Sequence, residues 1–552
     1  MVTTTLPLIP TTDSPMDLPE IRIAVSSYLS RHDLTICICV CKAWHDSFVP
    51  CIWSRPLQVN LASSTPLQPS ATSFIQRAIN IRQLKLYGIG LEGQGTVGYL
   101  PCQHLTNLRS LNIQQTGRSG TDFSSSIYWD TLVNLARQNT RLDTLRLLYI
   151  QGSKDIVSLF WDAVVGCRSS LKALHLYHYV EKSSDRCLFD VLPLLRLDRL
   201  EIAHSVFHHL PYQALEQTGS EGEAMSKSLP TVKALRLLSL TETGQPSPNI
   251  CPQARLLSLC PSLQELFVTG YGHETTIPGL ISKELKDNKW PHLISLSLHS
   301  LSFTDLELSV ILDSFGRAQL ETLSVRDGLF GPLSLAAFEK RHLGEGIKTL
   351  NLVRTIAARG PTMGEVSEIV QKIMEQSSAL ENLTVDVLQA LDVAKGLDWA
   401  CTGLRTFKVD ADLGPDDKKE NEVETITRKQ TTAHQISYNR DSFTKTQRQY
   451  ALFQQLGRLH QLTVLDLTGW HYQGVWYVWR LNLDLSHGLN QLSGLTQLQC
   501  LYFSKGQKLY MNDLVWMRTH WSDFREISKC LHLDLHEQKA LHQACTSWGW
   551  KL

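Results

Sequence analysis

Residues 293–298 read Leu293-Ile-Ser-Leu296-Ser-Leu298, and this phrase decides the fold because it returns: leucine, two variable residues, leucine, one variable residue, an aliphatic. Copies stand at Leu108-Arg-Ser-Leu111-Asn-Ile113, Leu142-Asp-Thr-Leu145-Arg-Leu147, Leu171-Lys-Ala-Leu174-His-Leu176 and Leu320-Glu-Thr-Leu323-Ser-Val325. Others are Ile347-Lys-Thr-Leu350-Asn-Leu352, Leu380-Glu-Asn-Leu383-Thr-Val385, Leu462-Thr-Val-Leu465-Asp-Leu467 and Leu498-Gln-Cys-Leu501-Tyr-Phe503. Weaker versions surround Leu84, Leu200, Leu235, Leu266 and Phe407, giving about fourteen at intervals of roughly 24 to 36 residues. Leucine alternating with variable residues makes a short strand with one face inward. Helical stretches lie between: Trp129 to Gln138, Ile156 to Val165, Glu365 to Gln376 and Gln449 to Leu456. No single strand–helix unit hides its own leucines, so neighbours must stack. The expected fold is an α/β solenoid, a horseshoe with a parallel concave sheet and convex helices. A doubly wound compact domain also alternates strand and helix, but it does not repeat one leucine phrase so many times.

Working outward, the phrase and its period resemble those of leucine-rich repeats. The array is expected over residues 59–511. Residues 411–447 hold almost no core-forming side chains and alternate in charge, as a disordered insert would. Residues 512–552, with Trp516, Trp521, Trp548 and Trp550, leave the phrase, and a C-terminal cap closing the apolar end is expected there.

The other informative stretch is Leu18 to Trp53, LPEIRIAVSSYLSRHDLTICICVCKAWHDSFVPCIW. Pro19 suits a first helical turn, and Glu20 suits the positive helix start. Ile21, Val25 and Leu29 recur at helical spacing; Asp33 is expected to cap a second helix carrying Leu34, Cys37, Ile38 and Cys41, with Trp44 and Phe48 beyond. Helices this short need a partner to bury that face, within the chain or outside it.

This stretch resembles an F-box. The matching elements are Leu18-Pro19, Ile21 with Val25, Tyr28-Leu29, Asp33-Leu34, Val40-Cys41-Lys42-Ala43-Trp44 and a final Trp53, in order over some forty residues; Arg22, Ile38 and Cys39 depart from the pattern slightly. The resemblance implies a helical domain over 16–58 that docks on the Skp adaptor, and through it a cullin-RING ligase, by Leu18, Pro19, Ile21, Leu29, Leu34, Val40, Cys41, Trp44 and Trp53. With the repeats behind it, the chain resembles the F-box/leucine-rich-repeat family, substrate receptors of Skp-cullin-F-box ubiquitin ligases. It would then be a non-catalytic subunit that holds an unknown protein substrate. The alternatives are that these helices only cap the array, or that the chain is a non-catalytic leucine-rich-repeat scaffold with no ubiquitin-ligase role.

Composition narrows the partners. With 53 basic and 53 acidic residues the net charge is zero, which points away from nucleic acid or an anionic membrane as the main partner. Thirteen cysteines without paired spacing read as a reduced cytoplasmic or nuclear protein, and no apolar run reaches the roughly eighteen residues of a spanning helix.

Motifs for chemistry are weak. Gly88-Ile-Gly90-Leu-Glu-Gly93 follows a strand but leads into more glycines and Pro101 rather than a helix, so it does not read as a nucleotide site. His204, His208 and His209 lack a third metal ligand, and Cys37, Cys39 and Cys41 are expected to be buried small side chains rather than zinc ligands. No catalytic residue, cofactor or metal is expected.

Recognition is expected on the strand face, at the positions between the leucines. Tyr87, His175, Tyr177, Tyr179, Phe267, Tyr271, Trp470 and Tyr502 are the large side chains there, joined by Arg146, Arg236, Arg326 and Arg354. The segment from Gly469 to Arg480 adds Trp476 and Trp479, either as a binding loop or as packing onto the next repeat.

Overall fold

Each recurring phrase forms a strand in the computed structural model, which describes residues 18–54, 57–60, 78–87, 104–114, 126–148, 154–181, 188–208, 228–243, 252–270, 276–301, 303–353, 363–396, 398–414, 443–468, 481–503, 507–528 and 534–552. The chain divides into two compact units, Met1–Pro261 and Ser262–Leu552. In the first, strands β1 (Leu57–Asn60), β2 (Gln83–Tyr87), β3 (Ser110–Gln114), β4 (Thr144–Leu148) and β5 (Ala173–Tyr177) are followed by the short β6 (Val180–Glu181), then β7 (Arg199–Ala203), β8 (Val206–His208), β9 (Ala234–Leu238) and β10 (Thr241–Thr243). The order β1-β2-β3-β4-β5-β7-β9 is parallel throughout, and β10-β8-β6 form a small second sheet. In the second unit, β11 (Glu265–Thr269), β12 (Ser295–His299), β13 (Thr322–Arg326), β14 (Thr349–Val353), β15 (Asn382–Gln389), β16 (Thr406–Asp412), β17 (Val464–Leu467), β18 (Cys500–Phe503) and β19 (Glu526–Ile527) pair in chain order, again in parallel. Helices and 3-10 turns connect the strands, including Ser126–Gln138, Lys154–Val165, Met363–Gln376 and Lys445–Gly457, where the sequence placed them. This is a parallel α/β solenoid.

The phrase explains the register. Leu296 and Leu298 are fully buried, while Ser295, Ser297 and His299 between them are half-exposed; the leucines of β3 and β4 behave alike. Equivalent residues pair, Leu296 with Leu323 and Leu323 with Leu350, so each leucine packs beside its counterpart one repeat away. Burying a leucine is worth roughly 1.5 to 3 kcal/mol. A shared carbonyl precedes most strands of the main sheet: Ile294 O accepts from the N–H groups of both Glu321 (2.8 Å) and Thr322 (3.0 Å), and Glu321 O accepts from Lys348 and Thr349 in turn.

Polar side chains also reach from one turn to the next. Asn139, nearly fully buried, donates Nδ2 to Leu105 O (2.6 Å) and Leu135 O (2.8 Å) and accepts the Leu108 N–H at 2.7 Å. Asp305 accepts from the N–H groups of Gly331 (2.8 Å), Leu333 (2.9 Å) and Ser334 (2.9 Å), the start of the following helix Pro332–Lys340. Helix starts need such acceptors, because their first N–H groups have no partner inside the helix.

Three expectations change. The polar tract is narrower than 411–447: Ala411 and Asp412 close β16, paired with Leu388 and Gln389, and Thr444 with Gln447 forms the capping box of Lys445–Gly457. Residues 415–442 lie outside the described residues. The 512–552 stretch continues the solenoid rather than merely closing it. Helix Met511–His520 leads into β19 paired with β18, and Arg525 O accepts the Lys551 N–H at 2.7 Å, as Gln499 O accepts the Arg525 and Glu526 N–H groups one turn earlier. Its aromatic residues then cover the end: Trp521 is buried, Phe524 packs on it and on Trp550, and Arg518 stacks 4.8 Å over Trp548. Finally, strands β1 and β19 exist without a readable phrase, because Ser54 stands three residues before Leu57 and Lys529 two after Ile527, where the phrase has aliphatic residues.

Replacing Asn139 by leucine keeps the volume but leaves the Leu108 N–H and Leu105 carbonyl buried without a partner. The expected cost is about 2 to 4 kcal/mol in urea unfolding, well above that of an Asn134→Leu control at an exposed position of the preceding helix.

Candidate functional site

Two surfaces carry the candidate residues. The first is the N-terminal set of helices, α1 (Pro19–Ser26), α2 (Arg31–Cys37) and α3 (Lys42–Ser54). Pro19 opens α1 as expected. Helix α2 starts earlier than Asp33: Ser30 is the cap, accepting the Asp33 N–H at 3.1 Å while the Asp33 carboxylate accepts the Ser30 N–H at 3.0 Å. Leu34, Phe48 and Ile52 form a small core, with Leu29, Cys37, Ile38, Trp44 and Cys51 packed against it and the Trp44 and Phe48 rings edge-on at 5.5 Å. α3 packs on the 3-10 turn Ala78–Asn80 that precedes β2.

That core sorts the sequence candidates. Leu34 is fully buried, so it holds the helices together rather than offering itself to a partner, and Leu29, Trp44 and Trp53 are half-buried. Leu18, Pro19, Ile21, Val40 and Cys41 are exposed. So are Ile23 and Ile36, which the sequence reading did not single out, and Tyr28 of the Tyr28-Leu29 element; Tyr28 is 90% exposed and Val40 60%. These exposed side chains are separate from the small core of Leu34, Phe48 and Ile52 formed by α2 and α3. Cys39 and Cys41 are exposed, against the expectation of burial, because the turn Ile38–Val40 carries them off the core.

The second surface is the outward face of the strands. In Met1–Pro261 one slot of the phrase lines up in register across six strands: Lys85, Asn112, Arg146, His175, Glu201 and Arg236. His175 Nδ1 donates to Glu201 Oε2 at 2.8 Å, and Arg236 Nε lies 3.4 Å from the other carboxylate oxygen. Arg146 Nη2 donates to the Tyr177 hydroxyl at 3.3 Å, its guanidinium 5.3 Å over the ring. Burial alone would push the Glu201 carboxyl up, but hydrogen bonds from His175 and Tyr177 and the charge of Arg236 outweigh it and hold it down at about 2. Burial, then the Glu201 carboxylate, pushes the Tyr177 hydroxyl up. The sequence reading named His175 and Tyr177 and missed Glu201, the acid that joins them.

Where these strands end, the chain turns through a left-handed residue, His178 (φ 50°), His204 (φ 48°) or Ser239 (φ 49°). The His178 N–H donates to Ala203 O and the His204 N–H to Leu238 O, at 2.8 and 2.7 Å. The two rings stack at 5.0 Å, and burial, then His204, pushes the His178 imidazole down. His204 therefore sits in a turn and His208 in β8, not on one helix face. Tyr179 is buried, its hydroxyl accepting from Trp161 Nε1 at 3.1 Å, and does not belong to the outward face.

In Ser262–Leu552 the same slot reads Phe267, Ser297, Ser324, Asn351, Thr384, Lys408, Asp466 and Tyr502. Phe267 meets the His299 ring at 4.7 Å, Arg326 lies 3.8 Å from Asp327, and the Tyr502 hydroxyl donates to Glu526 at 2.9 Å. Tyr271, Trp470 and the 469–480 segment lie outside the described residues, as do the side chain of Tyr87, Arg354, the 88–93 glycines and His209.

No group of three or more metal-ligating side chains occurs among the described residues, and none of their helices is long and apolar enough to cross a membrane. No protein-family model matches the chain, and no curated protein matches it. The crystal structure of the Rad7 and Elc1 complex in yeast is similar at 15% identity, covering 71% of this chain and 88% of that one, with a TM-score of 0.36. The TLR13–ssRNA13 complex is similar at 13% identity, covering 86% of this chain and 61% of that one, also at 0.36.

Glu201 has an ordinary carboxyl value of 4.5 when unfolded and about 2 when folded, so its contribution is complete above pH 4.5 and lost as pH falls toward 2. Glu201→Gln is expected to remove an acid-limb loss of the order of 3 kcal/mol. Hydrogen exchange of β5 and β7 between those pH values reads it, and an unchanged acid limb in the variant counts against the network.

Proposed function

We propose that the chain is the substrate-binding subunit of a Skp-cullin-F-box ubiquitin ligase. The N-terminal helices bind the Skp adaptor, the solenoid binds a target protein, and ubiquitin transfer belongs to other subunits, so the chain itself is no enzyme and works in the cytoplasm or nucleus. The observation that carries this reading is the exposed apolar set Leu18, Ile21, Val40 and their neighbours, left over on helices whose own core of Leu34, Phe48 and Ile52 is filled. A segment that served only to cap the repeats would turn that set inward. The order of the F-box-like elements from Leu18-Pro19 to Trp53 supports the Skp adaptor as the partner.

The reading separates contact residues from framework residues. Leu18→Ala with Val40→Ala is expected to abolish co-purification with the Skp adaptor while leaving the melting temperature within a few degrees. Leu34→Ala is expected to lose binding only by unfolding the helices, at a cost of about 2 to 5 kcal/mol. Retention of the adaptor by the Leu18/Val40 pair, or capture of the adaptor with no ubiquitylation of any bound protein, favours a scaffold instead.

Thiol chemistry gives a second test. Cys41 and Cys39 are exposed, whereas burial pushes the Cys167 and Cys545 thiols up to about 11 and those of Cys260 and Cys401 to about 12. Iodoacetamide is expected to label Cys39 and Cys41 in the free chain and spare the four buried thiols, with adaptor binding protecting Cys41. Equal labelling of Cys41 with and without adaptor counts against the docking face.

A further inference from the structure

The strands of the two units differ in charge although the whole chain is neutral. Strands β1 to β5, β7 and β9 of the main sheet carry Lys85, Arg146, Arg199 and Arg236 against the single acid Glu201, while β6 and β10 of the small second sheet carry Glu181 and Glu242. The strands of Ser262–Leu552 carry the opposite balance, with Arg326 and Lys408 against Asp386, Asp410, Asp412, Asp466, Glu265 and Glu526. The one acid of the first set is also spent. Glu201 is held by His175, Tyr177 and Arg236, and side-chain exposure of only 9% keeps it from meeting a partner. Asp143 and Asp198, at the entry to the strands, are matched by Arg109 at 3.5 Å and Lys233 at 3.8 Å.

We propose that the outward face of β2 to β9 is a docking surface for an acidic segment of a partner protein, gripped by Arg146 and Arg236 on either side of the His175–Glu201 pair. The two arginines stand three strand spacings apart, roughly 14 Å, and Lys85 extends the row by about 10 Å more. An extended segment crossing the strands therefore presents a carboxylate to each arginine at an interval of about four residues. Both guanidiniums are oriented before any partner arrives, Arg146 by the Tyr177 hydroxyl and ring and Arg236 by Glu201. Such ordering lowers the entropy lost on binding, and a guanidinium fork suits a carboxylate.

A protein segment fits better than a nucleic acid. Half-exposed Leu148, Tyr177 and Leu238 lie in the next row of the same face, a mixture of apolar groups and a few cations typical of protein interfaces, whereas nucleic-acid surfaces are much more positively charged. The proposal rests on the reading of the solenoid as the target-holding part, but it requires nothing of the N-terminal helices.

The test uses the full chain and three labelled probes: an oligoglutamate peptide, an oligolysine peptide, and a single-stranded oligodeoxynucleotide matching the first in charge, followed by fluorescence anisotropy at low and high salt. The oligoglutamate is expected to bind, more weakly as salt rises, and the oligolysine not to bind. Arg146→Gln with Arg236→Gln is expected to weaken oligoglutamate binding by about tenfold or more. Arg317→Gln, which breaks an ion pair with Glu345 in the other unit, is expected to leave it unchanged. Because Arg236→Gln leaves Glu201 short of a partner, Lys85→Gln with Arg146→Gln serves as the second variant and is expected to weaken binding several-fold with Glu201 intact. Absent oligoglutamate binding, binding that both double variants retain, or an oligonucleotide that binds as tightly and is lost in the same variants overturns the proposal. Adaptor co-purification measured on the same preparations tells its failure apart from failure of the ligase reading.

Discussion

The structure depends on leucines that no single repeat can bury. Each strand turns two aliphatic side chains inward, and their cover comes from the counterpart strands on either side, as Leu323 lies between Leu296 and Leu350. The same dependence runs through the backbone, where the carbonyl before one strand accepts two N–H groups from the start of the next. Stability in such an array is set by neighbour interfaces rather than by a central core. Cross-repeat polar ties, Asn139 to Leu105 and Leu108 and Asp305 to the start of the next helix, add directional contacts between successive turns.

That constraint falls on the inward positions only, which is why the outward slot is free to differ between units. Along β2 to β9 it collects lysine, arginine, histidine and one buried acid; along β12 to β15 it is serine, asparagine and threonine. That slot of the second unit is therefore uncharged from β12 to β15. Two faces built on one leucine frame thus offer different chemistry without any change in fold.

The legibility of the sequence followed the same division. All fourteen phrases became strands, because a leucine that must point inward repeats wherever a turn repeats. β1 and β19 carry no copy of the phrase because Ser54 and Lys529 stand where it has aliphatic residues, and the last turn up to Lys551 departs from it because aromatics replace the leucines. Glu201 was missed although its signal was present: it holds the slot of the phrase that His175 and Arg236 hold, and aligning the phrases brings the three together. At the N-terminus, the spacing of Leu18, Ile21, Leu34 and Val40 marked an apolar segment but could not divide core from surface. That division depends on how the helices cross, and only the folded helices show Leu34 turned in and Val40 turned out.

The leftover face is the informative one. Apolar side chains exposed in water are costly when grouped, and a module that completes its core with Leu34, Phe48 and Ile52 has no internal need for Ile23, Tyr28, Ile36 and Val40. α3 already supplies the contact with the first turn of the solenoid, through Ala78–Asn80, so capping is accomplished without those residues. Attachment and exposure are therefore carried by different parts of the same helices. The solenoid end is met by α3, while the leading turn of α1 and the turn after α2 present hydrocarbon outward. A chain arranged this way has one apolar surface near its start and one polar, arginine-bearing surface along its strands, and the two differ physically, hydrocarbon on the first and charge on the second.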